Sequence, residues 1–307
     1  MRPALSVIFL TTLSGTGQGL FLALFAAELA RADAGPPFYW VGALIALVLT
    51  GLGLVASFFH LGHPERAWRA VAMWRTSWLS REVIALPLFM AALAAWGGLH
   101  YLERASTAWA GALTTLLCLT LFVCTGMIYA AIKFLQEWAH PLTLVNFLLL
   151  GCANGCVLAA ALSAQSAPSL TRALTLAALL LTGAGAALRW ASLRRNAGLK
   201  ARSTLQSAIG IRHPRIVQKA QGFMGGSFNT REFFHGRTPQ VLHAVKWGFL
   251  VGAFGLPALL LALALVGPAA AWLTLAFGVQ YLGLLAERWY FFAQANHPQN
   301  LYYQSMS

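Results

Sequence analysis

The chain has 307 residues, of which 59% are hydrophobic and only 9% are charged, and its mean hydropathy is +0.67. Soluble domains carry roughly 25% charged residues, so this composition excludes an ordinary water-soluble fold and predicts an integral membrane protein. Lysine and arginine outnumber aspartate and glutamate by 21 to 8, which gives a formal net charge of +13. In a membrane protein such an excess of basic residues determines which loops face the cytoplasm. No nucleic-acid-binding motif accompanies it.

Eight apolar stretches are each close to the roughly 20 residues that a helix needs to cross the hydrocarbon core. They lie at residues 5–29, 39–60, 83–101, 109–132, 141–163, 173–193, 245–266 and 270–291. Continuously apolar runs of this length exclude the alternating strands of a β-barrel. The sequence therefore predicts an all-α polytopic membrane protein, a bundle of eight transmembrane helices that forms a single membrane domain over residues 1–307.

The basic residues predict the orientation of the bundle. An even number of spans puts both termini on one side, here called side A, together with the loops 61–82, 133–140 and 194–244. Side A receives 18 of the 21 basic residues, whereas the opposite side B receives Arg31, Arg104 and Arg172. By the positive-inside rule side A is cytoplasmic. We expect a multi-pass protein of the bacterial inner membrane with both termini in the cytoplasm.

The loop 194–244, between the sixth and seventh spans, differs sharply in composition from its surroundings. It combines many basic residues with Gly225, Gly226 and four phenylalanines, among them Phe233 and Phe234. Aromatic residues and arginine are enriched in the cores of protein interfaces. We therefore predict that this long cytoplasmic loop is a docking platform for a soluble partner. A basic segment that rests on anionic lipid headgroups is the alternative.

The densest group of polar side chains follows the second span, at residues 60–82. His60 and Glu82 lie at its two ends, at the edge of the membrane. An imidazole and a carboxylate at that depth can bond a quinone carbonyl and exchange its protons. We predict a quinone site bounded by His60 and Glu82 with Ser80 and Arg81 beside them. Arg66 and the tryptophans of the same segment fit either a docking surface or an interfacial aromatic belt.

Polar residues inside the spans indicate interhelical contacts or a binding site, because burying them in lipid is costly. Gln18 lies mid-span among glycines, which predicts either a packing seam with one interhelical hydrogen bond or a residue that lines the quinone cavity. Glu287 and Arg288, at the side A end of the last span, are predicted to close the same cavity or to anchor the helix end.

The histidines and cysteines do not predict a metal site. All eight histidines lie at or near span ends, and a b-type haem needs two ligands on facing helices. Only a convergence of His60, His140 and His243 would supply them, so no haem is expected. The four cysteines all lie in apolar stretches and form no C-x-x-C pair in a loop, which predicts neither disulfides nor iron–sulfur clusters in this chain.

Three sequence motifs carry a resemblance to a known family. They are H-L-G-x-P-x-R-A at 60–67, S-W-L-S-R-E at 77–82 and G-S-F-N-T-R-E-F-F-H-G at 226–236. With eight spans, the whole chain resembles the anchor subunit of dimethyl sulfoxide reductase and related complex iron–sulfur molybdoenzymes. The resemblance maps the quinone-site histidine and glutamate of that family onto His60 and Glu82.

The resemblance also implies partners. Such an anchor has no metal centre of its own; it tethers a molybdopterin catalytic subunit and an iron–sulfur subunit as a heterotrimer and exchanges electrons with ubiquinone or menaquinone. This chain is therefore not catalytic for the substrate by itself. The reductase branch usually carries its catalytic subunits on the periplasmic side, whereas the docking loop here is predicted to be cytoplasmic. That orientation is more similar to the sulfite dehydrogenase branch, in which sulfite is oxidised in the cytoplasm and electrons pass to quinone.

Two alternatives stay open at this point. Within the class, the chain fits the anchor of a dimethyl sulfoxide reductase-type complex that oxidises quinol. From another class, a secondary transporter is the rival, although transporters commonly show inverted repeats with discontinuous helices and polar groups at the midplane. This sequence shows no clear repeat, and its ionisable groups crowd one side.

Overall fold

The computed structural model describes residues 1–32, 34–105, 107–219 and 228–303, and these residues form helices and connecting turns without any strand. Eight of the helices are long and apolar enough to cross a membrane. They are α1 (Leu5–Leu29), α2 (Pro36–Phe58), α3 (Trp78–Tyr101), α4 (Thr107–Ala130), α5 (Pro141–Ser166), α6 (Pro168–Ala197), α7 (Pro239–Ala264, with a π-helical turn at Val251–Gly255) and α8 (Ala269–Ala293). The all-α class and the predicted eight spans are confirmed.

Several helices extend beyond the apolar stretches that predicted them. Helix α3 begins at Trp78 rather than at 83, because the Ser77 side chain accepts a hydrogen bond from the backbone N–H of Ser80 and caps the first turn. Helices α2, α5, α6 and α7 all have proline in the first turn, where the missing N–H costs nothing. Polar first and last turns are therefore helical although they lie outside the hydrophobic core.

Shorter helices lie outside the membrane spans. A 3₁₀ helix at Pro64–Met73 connects α2 to α3, and a second at Pro298–Tyr302 follows α8. The described parts of the loop 194–244 contain two helices of one turn each, at Leu205–Ile209 and Phe228–Glu232. Gly225 and Gly226, which contributed to the docking prediction, lie outside the described residues.

The eight spans pack as two consecutive groups of four, α1–α4 and α5–α8, and the groups meet along α1 and α5. Gly15 and Gly19 of α1 face Gly151 and Gly155 of α5. A Cβ atom on Gly19 would overlap the carbonyl group of Gly151, and one on Gly155 would overlap the backbone of Gly19. Small residues four apart let two helix backbones approach closely in lipid, so these glycines fix the centre of the bundle.

The two groups repeat one pattern. The glycine pairs stand at the same positions, the eleventh and fifteenth, of α1 and α5. Thr50 and Thr182 are both buried at the fifteenth position of α2 and α6. The sequence showed no clear repeat, but the packing reveals one. Because parallel repeats also occur in transporters, the repeat alone does not separate an anchor from a transporter.

Candidate functional site

The Glu82 carboxylate is buried at the side A end of the interface between α3 and α4. Glu82 lies in the first turns of α3 and is 8% exposed. The Thr125 hydroxyl of α4 donates a hydrogen bond to Glu82 Oε1. A carboxylate with a fixed hydroxyl donor is held in one orientation, as a proton donor or acceptor in a binding site must be. Sequence reasoning missed Thr125, because α4 contains five threonines and nothing in the sequence distinguishes this one from the others.

Ser80 and Arg81 share the first turn of α3 with Glu82. Ser80 is buried. The Arg81 guanidinium donates from Nε to the Trp74 carbonyl at 2.9 Å and from Nη2 to the Arg75 carbonyl at 2.7 Å. It also lies 4.2 Å from the centroid of the Trp78 ring. Arg81 thus fixes the turn that precedes α3.

His60 lies two residues beyond the end of α2, on the same side as Glu82, and is partly exposed. Partial burial lowers the pKa of its imidazole below the usual value, so the neutral ring, with one donor and one acceptor nitrogen, predominates at pH 7. Within the described ranges, no hydrogen bond or ion pair joins His60 to Glu82. The structure therefore places the two residues at one end of the bundle as separate groups.

Gln18 is buried in α1, and its amide Nε2 donates to the Cys118 carbonyl of α4 at 2.9 Å. This is the interhelical hydrogen bond that the packing-seam interpretation predicts. Asn154 has the corresponding place in α5, and its Nδ2 donates to Gln280 of α8 at 3.3 Å. Each half of the bundle therefore uses a mid-membrane amide to join its first and fourth helices.

Glu287 and Arg288 belong to a different polar group from Glu82. Arg189 Nε of α6 lies 2.7 Å from Glu287 Oε1, and Arg288 Nη2 lies 3.7 Å from Glu287 Oε2. All three side chains are almost fully buried. The Arg288 guanidinium also lies 3.6 Å from the centroid of the Phe147 ring. These residues line a cavity of about 10 Å³ among α5, α6 and α8, which is room for about one water molecule and not for a quinone ring.

This cluster ties the helices of the second half together. Two guanidinium groups and one carboxylate leave a net charge of +1 inside the bundle, and removing one partner of a buried ion pair is strongly destabilising. Arg189 was counted from the sequence only as a basic residue of side A. Its partner was not predictable, because the register of α6 against α8 depends on the tertiary packing.

A basic cleft of about 1110 Å³ opens on side A, at the ends of the membrane spans. Its walls come from the α4–α5 turn, residues 199–205, residues 233–239 and the segment after α8. Phe233 stacks on His297 with ring centroids 3.7 Å apart, and Phe234 meets the Tyr303 ring edge-on. Both phenylalanines are therefore half-buried and line the cleft, and neither side chain projects freely from the surface. The charged residues that line the cleft are Lys133, Glu137, Lys200, Arg202 and Arg237.

Arg66 lies away from both the carboxylate and the cleft, on the 3₁₀ helix Pro64–Met73. Its Nε is 3.6 Å from Glu65 Oε1, and both side chains are more than half exposed. An exposed pair of this kind contributes little to stability. Arg66 is thus available to interact with a surface outside the chain.

The histidines considered as haem ligands have other contacts. His140 Nδ1 accepts from the Leu142 backbone N–H, and His243 Nε2 accepts from Trp247 Nε1. Among the described residues, no group of three or more histidine, cysteine or acidic side chains could hold a metal ion. The haem-free expectation stays a prediction, which a spectrum of the purified protein would test.

An eight-helix membrane bundle with a buried carboxylate and a basic cleft at one end is compatible with the membrane anchor that the motifs predict. The family model of the DMSO reductase anchor subunit (DmsC) matches residues 1–211, and the chain belongs to this family. It is also 54% identical to a subunit of the sulfite dehydrogenase of Allochromatium vinosum, in a match that covers 100% of both chains. The protein is therefore a multi-pass membrane anchor of an oxidoreductase complex, as the motifs at 60–67 and 77–82 predicted.

Proposed function

We propose that this chain is the quinone-reactive anchor of a sulfite dehydrogenase complex. In this proposal it passes electrons from an iron–sulfur subunit on side A to the quinone pool. The observation that carries the proposal is the buried Glu82 carboxylate, oriented by Thr125 at the side A end of α3 and α4. The full-length similarity to a sulfite dehydrogenase subunit supports the choice of sulfite as the substrate of the catalytic partner.

The site has the groups that quinone reduction requires. Reduction of a quinone to a quinol adds two electrons and two protons, and the electrons come from the iron–sulfur subunit. Glu82 and His60 supply a carboxyl group and an imidazole that can donate hydrogen bonds to the carbonyl oxygens and deliver protons to them. Arg81 lies one residue before Glu82, where a positive charge stabilises the negative charge that develops on a partly reduced quinone.

In this proposal the quinone site lies on the side of the membrane where the iron–sulfur subunit docks, because electrons must tunnel from that subunit to the quinone. Tunnelling rates fall steeply with distance, so a quinone near side B would be out of reach without an intermediate cofactor. Both His60 and Glu82 lie at side A, where the basic cleft also opens. The cleft suits an iron–sulfur subunit with an acidic surface, and the heterotrimer is completed by the molybdopterin subunit. The basic residues of side A favour a cytoplasmic position for these partners and for both termini, in the bacterial inner membrane.

A second candidate is the anchor of a dimethyl sulfoxide reductase-type complex, which the matching family model favours. The same residues would then accept protons from a quinol instead of delivering them to a quinone. The residues of the anchor do not determine whether quinone is reduced or quinol is oxidised, because the substrate binds to the catalytic partner.

Purification of the tagged chain from its native membrane tests the proposal. We expect two soluble partner proteins to co-purify with molybdenum and iron, and sulfite to reduce a quinone analogue in the purified complex. Dimethyl sulfoxide-dependent oxidation of quinol, with no sulfite activity, would favour the second candidate. A chain that purifies alone from intact membranes without either metal would contradict both.

A further inference from the structure

Residues 64–75, here called the Arg–Trp segment, connect α2 to α3, and none of them is buried in the described structure. The segment comprises the 3₁₀ helix Pro64–Met73 and the two residues Trp74 and Arg75. Its end is held against the first turn of α3, because the Arg81 guanidinium donates to the carbonyl groups of both Trp74 and Arg75. The segment is thus fixed close to the plane in which α3 enters the membrane.

Large apolar side chains and arginines alternate along this segment. Trp68 is 71% exposed, Met73 61% and Trp74 51%. The Arg69 guanidinium lies 5.5 Å from the centroid of the Trp68 ring, and the Arg75 guanidinium lies 5.4 Å from that of Trp74. Exposing three such side chains to water is unfavourable, which indicates that another surface covers them.

We infer that the Arg–Trp segment binds anionic phospholipid headgroups, with its tryptophans and methionine at the boundary of the acyl chains. Arg66, Arg69 and Arg75 outweigh the single acidic residue Glu65, so the segment has a net charge of +2. Tryptophan prefers the headgroup region, where its apolar ring and its N–H are both satisfied. A helix with basic and aromatic side chains lies in the plane of an anionic interface.

A lipid surface fits this segment better than a protein partner does. The connection to α2 is the five residues 59–63, which span at most about 18 Å when fully extended, so the segment cannot rise far from the membrane. Phe58 and Phe59, which end α2 and begin this connection, are exposed as well, so large apolar side chains are exposed from the end of the span into the segment. The basic cleft, by contrast, is lined by the long loop and by the segment after α8. This inference is independent of the proposed quinone chemistry.

A spin label at residue 73 tests the inference in the intact complex. Met73→Cys is labelled with a nitroxide, and the complex is placed in nanodiscs of phosphatidylcholine alone or with phosphatidylglycerol added. The accessibility of the label to oxygen, which prefers lipid, is compared with that to a water-soluble nickel complex. Val217→Cys, an exposed position in the long loop, is the matched control. The unsubstituted chain gives the background, since its cysteines are buried or half-buried.

We expect the ratio of oxygen to nickel accessibility at residue 73 to be several-fold higher than at residue 217. It should rise further when the anionic lipid is added, and replacement of Arg66, Arg69 and Arg75 by glutamine should abolish that rise. A label with the same ratio as the control would overturn the inference. So would equal ratios with and without anionic lipid, or a label that is shielded from both reagents only when the soluble partners are present, which would indicate a protein partner.

Discussion

The hydrogen bond from Thr125 to Glu82 can be tested by a substitution that removes the orientation of the Glu82 carboxylate but keeps the packing of α3 against α4. Thr125→Val replaces the hydroxyl with a methyl group of similar volume, so α3 and α4 keep their contact while Glu82 loses its donor. A hydrogen bond to a charged group contributes about 1.5–3 kcal/mol. If the transition state for quinone reduction needs the oriented carboxylate, kcat/KM for quinone falls by about ten- to a hundredfold.

The assay compares quinone with an artificial soluble acceptor for the electrons that the proposed complex takes from sulfite. Quinone-linked activity should fall in Thr125→Val, while activity with an artificial soluble acceptor should stay at the level of the unsubstituted complex. Thr125→Ser keeps the hydroxyl and should retain most quinone-linked activity. Thr120→Val is the matched control on the same helix, because its exposed hydroxyl donates only to the Leu116 carbonyl. Unchanged quinone kinetics in Thr125→Val, beside a clear loss in Glu82→Gln, would refute the positioning role.

Three further predictions concern docking, orientation and stability. Replacing Phe233 and Phe234 by alanine removes one wall of the basic cleft and should release the soluble partners from washed membranes; if they stay bound with full activity, the loop faces lipid instead. A reporter fused after Ser166, at the side B end of α5, should be active only if it functions in the periplasm, and cytoplasmic activity there would reverse the orientation. Glu287→Gln leaves the buried guanidinium groups of Arg189 and Arg288 without a counter-charge, so the free energy of unfolding in detergent should fall by about 3–5 kcal/mol; an unchanged unfolding curve would show that the buried ion pair is dispensable.

The helices were predictable from the sequence because lipid permits few alternatives for an apolar stretch. A run of about 20 apolar residues must satisfy its own backbone in a membrane, and all eight such runs are helical. Their ends were less predictable. Helix α6 continues to Ala197 through two arginines, since an interfacial turn needs no apolar residues.

The candidate site was predictable only in part. Ser80, Arg81 and Glu82 are adjacent in sequence, so their proximity follows from the motif itself. Thr125 and Arg189 reach their partners through helices that are distant in the chain, and hydropathy does not determine which faces meet. The glycines of α1 predicted a close packing seam, but not that α5 would provide the other half.

In the proposed mechanism, His60 and Glu82 bound one quinone site close to side A. The most direct measurement is steady-state quinone reduction by the purified complex with His60→Ala or Glu82→Gln, beside turnover with an artificial soluble acceptor. We expect an assembled complex whose quinone-linked activity falls by at least about tenfold, equivalent to about 1.4 kcal/mol at the transition state, while turnover with the artificial acceptor is unchanged. Wild-type quinone kinetics in both variants, or a b-type haem spectrum of the purified anchor, would contradict the account.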